Sequence, residues 1–314
     1  MKKTPLSLAA AAAAALALVL TGCSGGSDSA GGSASAGGEG QGGPSVPTGD
    51  EISTTADPEL TKLLPKAITE KGSIGIAVDI PFPPMAMYDE QNRAVGFDPE
   101  LGRLLGQKLG IDVSINKQAF DSVIPALQAG KSDIIMSGMN DTEERQSTLS
   151  FVDYSHGGFA IAVKAGNEAG VKAQRDLCGK TVSVQKATIQ GDLLRAMDCD
   201  VSVMELPSDL DAQTALRAGK SQAYVADAVV AEYVVATTDD GKAFEIVRDP
   251  ENPAGFNPVY SGIGILKDNT ELVAAVQAAL QALIEEGTYE QVLERNHIAA
   301  YAVESAEVNQ GKDA

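Results

Sequence analysis

Residues 126–138 read ALQAGKSDIIMSG, and residues 215–227 read ALRAGKSQAYVAD. Each segment is the end of an amphipathic helix, a Gly that stops it, a tight turn and a buried strand. One αβ unit therefore occurs twice, and a chain built from such units forms parallel sheets flanked by helices. The first strand runs on into Asn140-Asp141-Thr142-Glu143-Glu144-Arg145, and the second ends on Asp227. In open α/β sheets, ligands bind beyond the carboxyl ends of strands. The repeat thus places a cationic group past one strand end and an anionic group at the other. Facing each other across a cleft, the two would suit a zwitterion.

The surrounding pattern extends the unit. Asp57-Pro58 reads as a helix start, with Asp as N-cap and Pro in the first turn. Ile74, Ile76 and Val78 alternate as a strand ending at Asp79, before the Pro-rich run Pro81-Phe82-Pro83-Pro84-Met85. Asp98-Pro99 opens a helix that Gly110 stops, residues 111–115 give a strand, Asp121 caps a helix, and 133–136 give a third strand. The order restarts at Thr181, with strands over 181–184, 201–205, 222–226 and 244–247. Helices from Thr188, from Ser208 and through Val229-Val230 alternate with them. A strand over 259–266, a long helix over 270–286 and a short one with a Thr288–Gln291 capping box follow. Asp141 and Glu144 make a similar capping pair ahead of Arg145.

The fold class is α/β, in two lobes. Residues 57–164 with 261–304 form lobe 1, residues 165–260 form lobe 2, and 305–314 read as a frayed polar tail. Two crossings between the lobes make a two-strand hinge around a cleft.

A net charge of −19 argues against nucleic acid, which needs a basic surface. With no Trp, a stacking platform for sugars or bases is not expected. His156 and His297 lie far apart, and the three cysteines show no metal-ligand spacing, so neither a metal nor a cofactor is expected.

Lys2 and Lys3 precede an apolar run from Leu6 to Leu20, the pattern of a signal peptide. The run ends Leu20-Thr21-Gly22-Cys23, which resembles a bacterial lipobox. That resemblance implies removal of residues 1–22 and lipidation of Cys23; a plain signal peptide with a chance Cys is the alternative. Residues 23–56 then form a Gly/Ser-rich tether, holding an extracytoplasmic domain at the outer face of the cell membrane. Cys178 and Cys199 stand just before the strands around Val182 and Val201. An exported context permits a disulfide between them if those strands are neighbours. Two free buried thiols are the alternative.

Arg145 offers a planar fork that matches a carboxylate, or is a surface Arg paired with Glu143 or Glu144. Asp227 could accept an ammonium or simply cap the following helix. Asp79 ends the first strand and could face a polar or cationic group, or merely order the Pro-rich loop.

Several motifs occur together. They are Val78-Asp79 with Pro83-Pro84, Val95-Gly96-Phe97-Asp98, Phe120-Asp121-Ser122-Val123-Ile124-Pro125, and Ser137-Gly138-Met139-Asn140 running on to Arg145. Phe151-Val152-Asp153-Tyr154, Val184-Gln185-Lys186-Ala187-Thr188, Asp227 and Glu286-Gly287-Thr288-Tyr289 complete the set. In this order, residues 73–296 resemble bacterial solute-binding proteins of the polar amino-acid uptake family, family 3, which are partners of ABC importers.

The resemblance implies a type II periplasmic-binding-protein fold and a monomeric, non-enzymatic carrier serving a permease and its ATPase on other chains. Arg145 would bind the ligand α-carboxylate, helped by Asn140 and the backbone near Thr188 and Ile189. Asp227 and the Gly138 carbonyl would hold the α-ammonium. Phe82 and Phe120 would sandwich the ligand, with Asp79 and Gln185 facing its side chain. The chain departs from the family at Asn140 (usually Ser or Thr), Ala187 (Gly), Ile189 (Thr) and Met85 (an aromatic). No second cation appears among these positions, and Asp79 is acidic, so an acidic ligand is disfavoured. A polar neutral or cationic L-amino acid is expected. The alternatives are an opine-like or compatible solute, a dehydratase-like cleft enzyme and a ligand-sensing lipoprotein.

Overall fold

The computed structural model describes residues 52–248 and 255–312. The expected signal peptide, Cys23 and the tether as far as residue 51 lie outside the described residues. The last tether residues are tied down. Thr54 Oγ1 donates to Glu286 Oε1 at 2.6 Å, and its N–H donates to Gln107 Oε1 at 3.2 Å.

Helices α1 (Pro58–Thr61) and α2 (Lys66–Lys71) lead into β1 (Ser73–Val78). Asp57 caps α1 as expected, accepting from the Glu59 N–H at 2.8 Å. A small hairpin, β2 (Met87–Tyr88) and β3 (Ala94–Val95), precedes α3 (Phe97–Leu109) and β4 (Asp112–Lys117). Helix α4 (Val123–Gln128) and β5 (Ile134–Ile135) complete the first block, with β1 parallel to both β4 and β5. One-turn helix α5 (Glu143–Gln146) precedes the long β6 (Leu149–Lys164).

The second block runs β7 (Thr181–Gln185), α6 (Ile189–Arg195), β8 (Ser202–Leu206), α7 (Asp209–Arg217), β9 (Ala223–Asp227) and α8 (Ala228–Thr237). There β7 is parallel to both β8 and β9. Strand β10 (Phe244–Ile246), β11 (Phe256–Leu266), α9 (Thr270–Glu285) and α10 (Thr288–Arg295) end the element order, apart from a last 3-10 turn at Ala299–Tyr301.

Apart from the β2–β3 hairpin, the strands form one mixed sheet in the order β4-β1-β5-β11-β6-β9-β7-β8, with β10 on β6. Antiparallel β6 and β11 run through both lobes. At their lobe-1 ends β11 also pairs with β5, and from Phe159 onward β6 pairs with β9. Ser155–Gly158 of β6 lie between these two pairings. Register shifts in β11 fall between Phe256 and Val259 and between Ser261 and Gly262, at the same level.

Helix α3 turns Phe97, Leu101, Leu104, Leu105 and Leu109 inward, a single apolar stripe at helical spacing. That stripe packs on β1 and α9. Each fully buried Leu contributes about 1.5–3 kcal/mol of hydrophobic stabilisation. Lobe 2 has its own core around Val182, Val184, Leu194, Val225 and Phe159. Cys178 and Cys199 form a disulfide with a Cα–Cα distance of 5.6 Å. The condition for it holds, because β7 and β8 are neighbours with Thr181 opposite Ser202.

Four expected helix starts are differently built. Asp98 lies inside the first turn of α3, fully buried, and Gly96 takes the N-cap position. Thr142, not Asp141, caps α5, accepting from the Arg145 N–H at 3.3 Å. Asp121 sits in a 3-10 turn over Phe120–Ser122 and makes no cap of α4. Gly287 precedes α10 with no side-chain cap, so Thr288 and Gln291 form no capping box.

The tail also departs from the frayed segment expected over 305–314. Among its described residues, Ala306 is buried and hydrogen-bonded to Gln281 and Gln277, and Val308 bridges to Val152. Polar composition suggested fraying, but the backbone N–H groups here find buried acceptors.

Candidate functional site

The loop after β5 carries Ser137 to Asn140, and β9 ends on Asp227. Asn140 bridges to Ser261 of β11, while Asp227 pairs with Phe159 of β6. The two crossing strands thus bring the two strand ends of the sequence repeat together. Asn140 Nδ2 donates to Asp227 Oδ1 at 2.9 Å and to Ser261 Oγ at 3.1 Å. The Asp227 side chain turns to Asn140 and makes no cap on α8. Burial pushes its carboxyl up to about 6, while Asn140, Arg145 and the Gln190 side chain pull the other way.

Arg145 projects from α5 toward the same place. Its Nη1 donates to the Asn140 carbonyl at 2.8 Å, and its Nη2 crosses to the Ala187 carbonyl of lobe 2 at 3.1 Å. The guanidinium carbon lies 5.7 Å from the Phe120 ring centroid, a cation–π contact. Ala187 has φ 64, in the left-handed region that favours Gly. Ala187 is thus held in a backbone conformation that Gly would adopt without strain.

Asp79 follows β1 and is buried; its N–H donates to Ser137 Oγ at 2.9 Å. Gln185, the last residue of β7, donates from Nε2 to Asp79 Oδ2 at 2.6 Å, joining the lobes again. Burial raises the Asp79 pKa, opposed by Gln185 and Lys117. Phe82 lies against Gly138: a Cβ there would come within 2.8 Å of Phe82 Cε1, and φ is 56. Only Gly lets the ring approach this backbone. The Gly138 N–H points inward, donating to Asp98 Oδ2 and Tyr154 Oη, both at 3.1 Å. Burial pushes the Asp98 carboxyl up to about 7.

Thr188 opens α6, but its hydroxyl donates to the Gln185 carbonyl at 2.7 Å. Ile189 packs against the lobe-2 core, so its side chain supplies apolar contact where a family hydroxyl would stand. Phe82, Gly138 and Asp227 line a space between the lobes together with Met85, Ser261 and Tyr301. Asn140 is joined to it through Asp227, and Arg145 through the Asn140 carbonyl. Phe120 touches Arg145, and the Asp79–Gln185 hydrogen bond is a second contact across the cleft.

Three contributors were not read from the sequence. Ser261 orients the Asn140 amide, Gln190 supports Asp227, and Lys186 pairs with Asp121 across the cleft at 2.9 Å. Lys186 stands in the quoted lobe-2 motif, and its charge opposite Asp121 was a readable signal. Ser261 and Gln190 carried none. No group of three or more metal-ligating residues occurs among the described residues. No described helix is long and apolar enough to cross a membrane.

The family model of bacterial extracellular solute-binding proteins, family 3, matches residues 74–297. The arginine-binding protein ArgT of Corynebacterium glutamicum is 28% identical over 262 residues, covering 81% of this chain and 83% of ArgT. The L-cystine-binding protein TcyJ of Escherichia coli is 26% identical, covering 73% of this chain and 84% of TcyJ. Among solved structures, holo ArgBP from T. maritima is similar with a TM-score of 0.64 and 30% identity, covering 74% of this chain and 99% of ArgBP. The ancestral amino acid-binding protein AncCDT-1, a precursor of cyclohexadienyl dehydratase, is similar with a TM-score of 0.67 and 28% identity, covering 74% of this chain and 98% of that one.

Proposed function

This chain belongs to the bacterial extracellular solute-binding proteins, family 3, and we propose that it is the substrate-binding component of an ABC importer. It captures a polar, neutral or cationic L-amino acid in the cleft and delivers it to a membrane permease driven by an ATPase on another chain. It works as a monomer, held at the outer face of the cell membrane by lipid on Cys23.

The observation that carries this reading is the Arg145–Asn140–Asp227 chain, which sets opposite charges from the two lobes side by side. A guanidinium has five N–H donors, and two carbonyls use two of them, leaving others for a ligand carboxylate. Asp227 takes the ammonium together with the Gly138 carbonyl. Thr188 and Ile189 supply backbone N–H groups to the carboxylate at the start of α6. Phe82 and Phe120 enclose the aliphatic stem, and Asp79 with Gln185 meets its polar end. An acidic Asp79 attracts a cation there and repels a second carboxylate, which fits the arginine-binding names of ArgT and ArgBP. Micromolar affinity corresponds to about −8 kcal/mol, within reach of one bidentate pair, one ammonium site and a stacked side chain.

Asn140, Ile189 and Met85, which depart from the residues the family resemblance implies, favour a second reading, a non-proteinogenic ligand such as an opine-like or compatible solute. Asp79 and Asp227 serve as binding groups held by Gln185 and Asn140, so no turnover is expected.

Calorimetric titration of unliganded protein with the common L-amino acids tests the proposal. Heat is expected with arginine, lysine or glutamine and none with glutamate. Silence from the whole panel would overturn it.

A further inference from the structure

The helix that carries Arg145 is held from outside the cleft by residues far along the chain. Asp141 follows Asn140, whose carbonyl accepts from Arg145 Nη1, and Gln146 follows Arg145. Both flanking residues are bonded to Gly311. The Gly311 N–H donates to Asp141 Oδ2 at 2.7 Å. Gln146 Nε2 donates to Asp141 Oδ1 at 2.8 Å and to the Gly311 carbonyl at 2.9 Å. The Asp141 N–H in turn donates to the Tyr260 carbonyl of β11 at 2.8 Å.

The residues before Gly311 are anchored along β6. Asn309 exchanges two hydrogen bonds with Phe151, and the Gln310 N–H donates to Asp153 Oδ2 at 2.9 Å. Gly311 is sterically required: a Cβ there would lie 2.1 Å from the Asp141 carbonyl oxygen. Asp141 is fully buried, so its carboxylate depends on these donors. A buried carboxylate that loses its donors costs far more than an exposed one, and the loop must shift to resolvate it.

We infer that residues 308–311 form a clamp that positions Arg145 for the ligand α-carboxylate, with Gly311 and Gln146 as its positioning residues. This rests on the reading of Arg145 as the carboxylate-binding group. The clamp acts on ligand binding through geometry: it fixes the residues flanking both ends of the Asn140–Arg145 contact.

The test uses the full chain, its Gly311→Ala and Gln146→Ala variants, and a chain stopped after Glu307. Calorimetry first finds the tightest common L-amino acid for the wild type, then compares it with its α-carboxamide, which lacks the carboxylate. The variants are expected to lose about tenfold for the amino acid, as a charge-assisted contact is misaligned. They should bind the carboxamide as the wild type does, with an unchanged far-ultraviolet circular dichroism spectrum. Equal losses for both ligands would make the segment a general fold support and overturn the clamp. Unchanged affinity for the amino acid would overturn it too. If Gly311→Ala fails to fold, Gln146→Ala, which adds no atoms, decides. Wild-type protein that binds no amino acid would sink the reading of the site itself, a result distinguishable from failure of the clamp alone.

Discussion

Asn140 Nδ2 lies 2.9 Å from Asp227 Oδ1, although 87 residues separate them in the chain. The amide comes from lobe 1 and the carboxylate from lobe 2, so this hydrogen bond spans the cleft. The Arg145 guanidinium donates to the Asn140 backbone carbonyl and holds a positive charge near the same carboxylate. On the proposed reading, the carboxylate of an amino acid would meet Arg145 and its ammonium Asp227.

Arg145→Ala and Asp227→Ala are each expected to reduce amino-acid affinity by at least about a hundredfold, since each leaves one ligand charge enclosed without a partner. Calorimetric titration measures the loss. Thermal melting should stay near the wild-type value for Asp227→Ala at pH 8, because that change removes a desolvated carboxylate. A substantially lower melting temperature there would contradict the account.

Affinity should depend on pH through Asp227. Its carboxyl is pushed up to about 6 by burial. Binding of an ammonium needs the charged form, so affinity is flat above about pH 7 and falls as pH drops below 6. The fall approaches about tenfold per unit until the bound-state pKa is reached. Titrations between pH 5 and 8 would trace this, and an affinity that rises on acidification would refute it.

Stability should run the opposite way. Burial pushes Asp98 and Asp153 up to about 7, and Asp209 and Asp227 up to about 6. A carboxyl raised in the folded state contributes stability that is fully present below its unfolded pKa, near 4, and lost as pH rises through the folded value. The unliganded protein should therefore melt at a higher temperature at pH 5 than at pH 8. Calorimetric scans across that window check the sign.

Replacing Cys178 and Cys199 together by Ser should cost about 3 kcal/mol, the chain-entropy estimate for a loop of this length. The bridge sits where β7 and β8 begin, and the site lies past where β7 ends. Urea unfolding should shift while ligand affinity stays unchanged. Loss of affinity in the double Ser variant would show that the two ends of lobe 2 are coupled.

Much of this architecture was legible in the residues. Alternation at Ile74, Ile76 and Val78 and the twin ALQAGKS and ALRAGKS segments led directly to the parallel blocks, and the strand ends led to Arg145 and Asp227. The helix starts at Asp98 and Asp141 were misread for one physical reason. An Asp ahead of a helix looks the same whether its carboxylate takes a local N–H or a distant one. Here Asp98 takes the Gly138 N–H and Asp141 takes the Gly311 N–H. The same long-range bonds explain the ordered tail, whose polar side chains hid what its backbone would bind. Lys186 and Asp121 each stand in a quoted motif, but they lie far apart in the chain, so the sequence offered the two charges and only the fold paired them.

Strands β6 and β11 pass through both lobes while hydrogen-bonded to one another. Such a connection behaves as a torsion bar. Its backbone is already ordered on either side of the crossing, so turning one lobe against the other removes little conformational freedom. Register shifts at Ser261/Gly262 and Phe256/Val259 mark where the ladder can twist. The contacts a ligand makes are then spent on retention, since the ordering was completed when the chain folded.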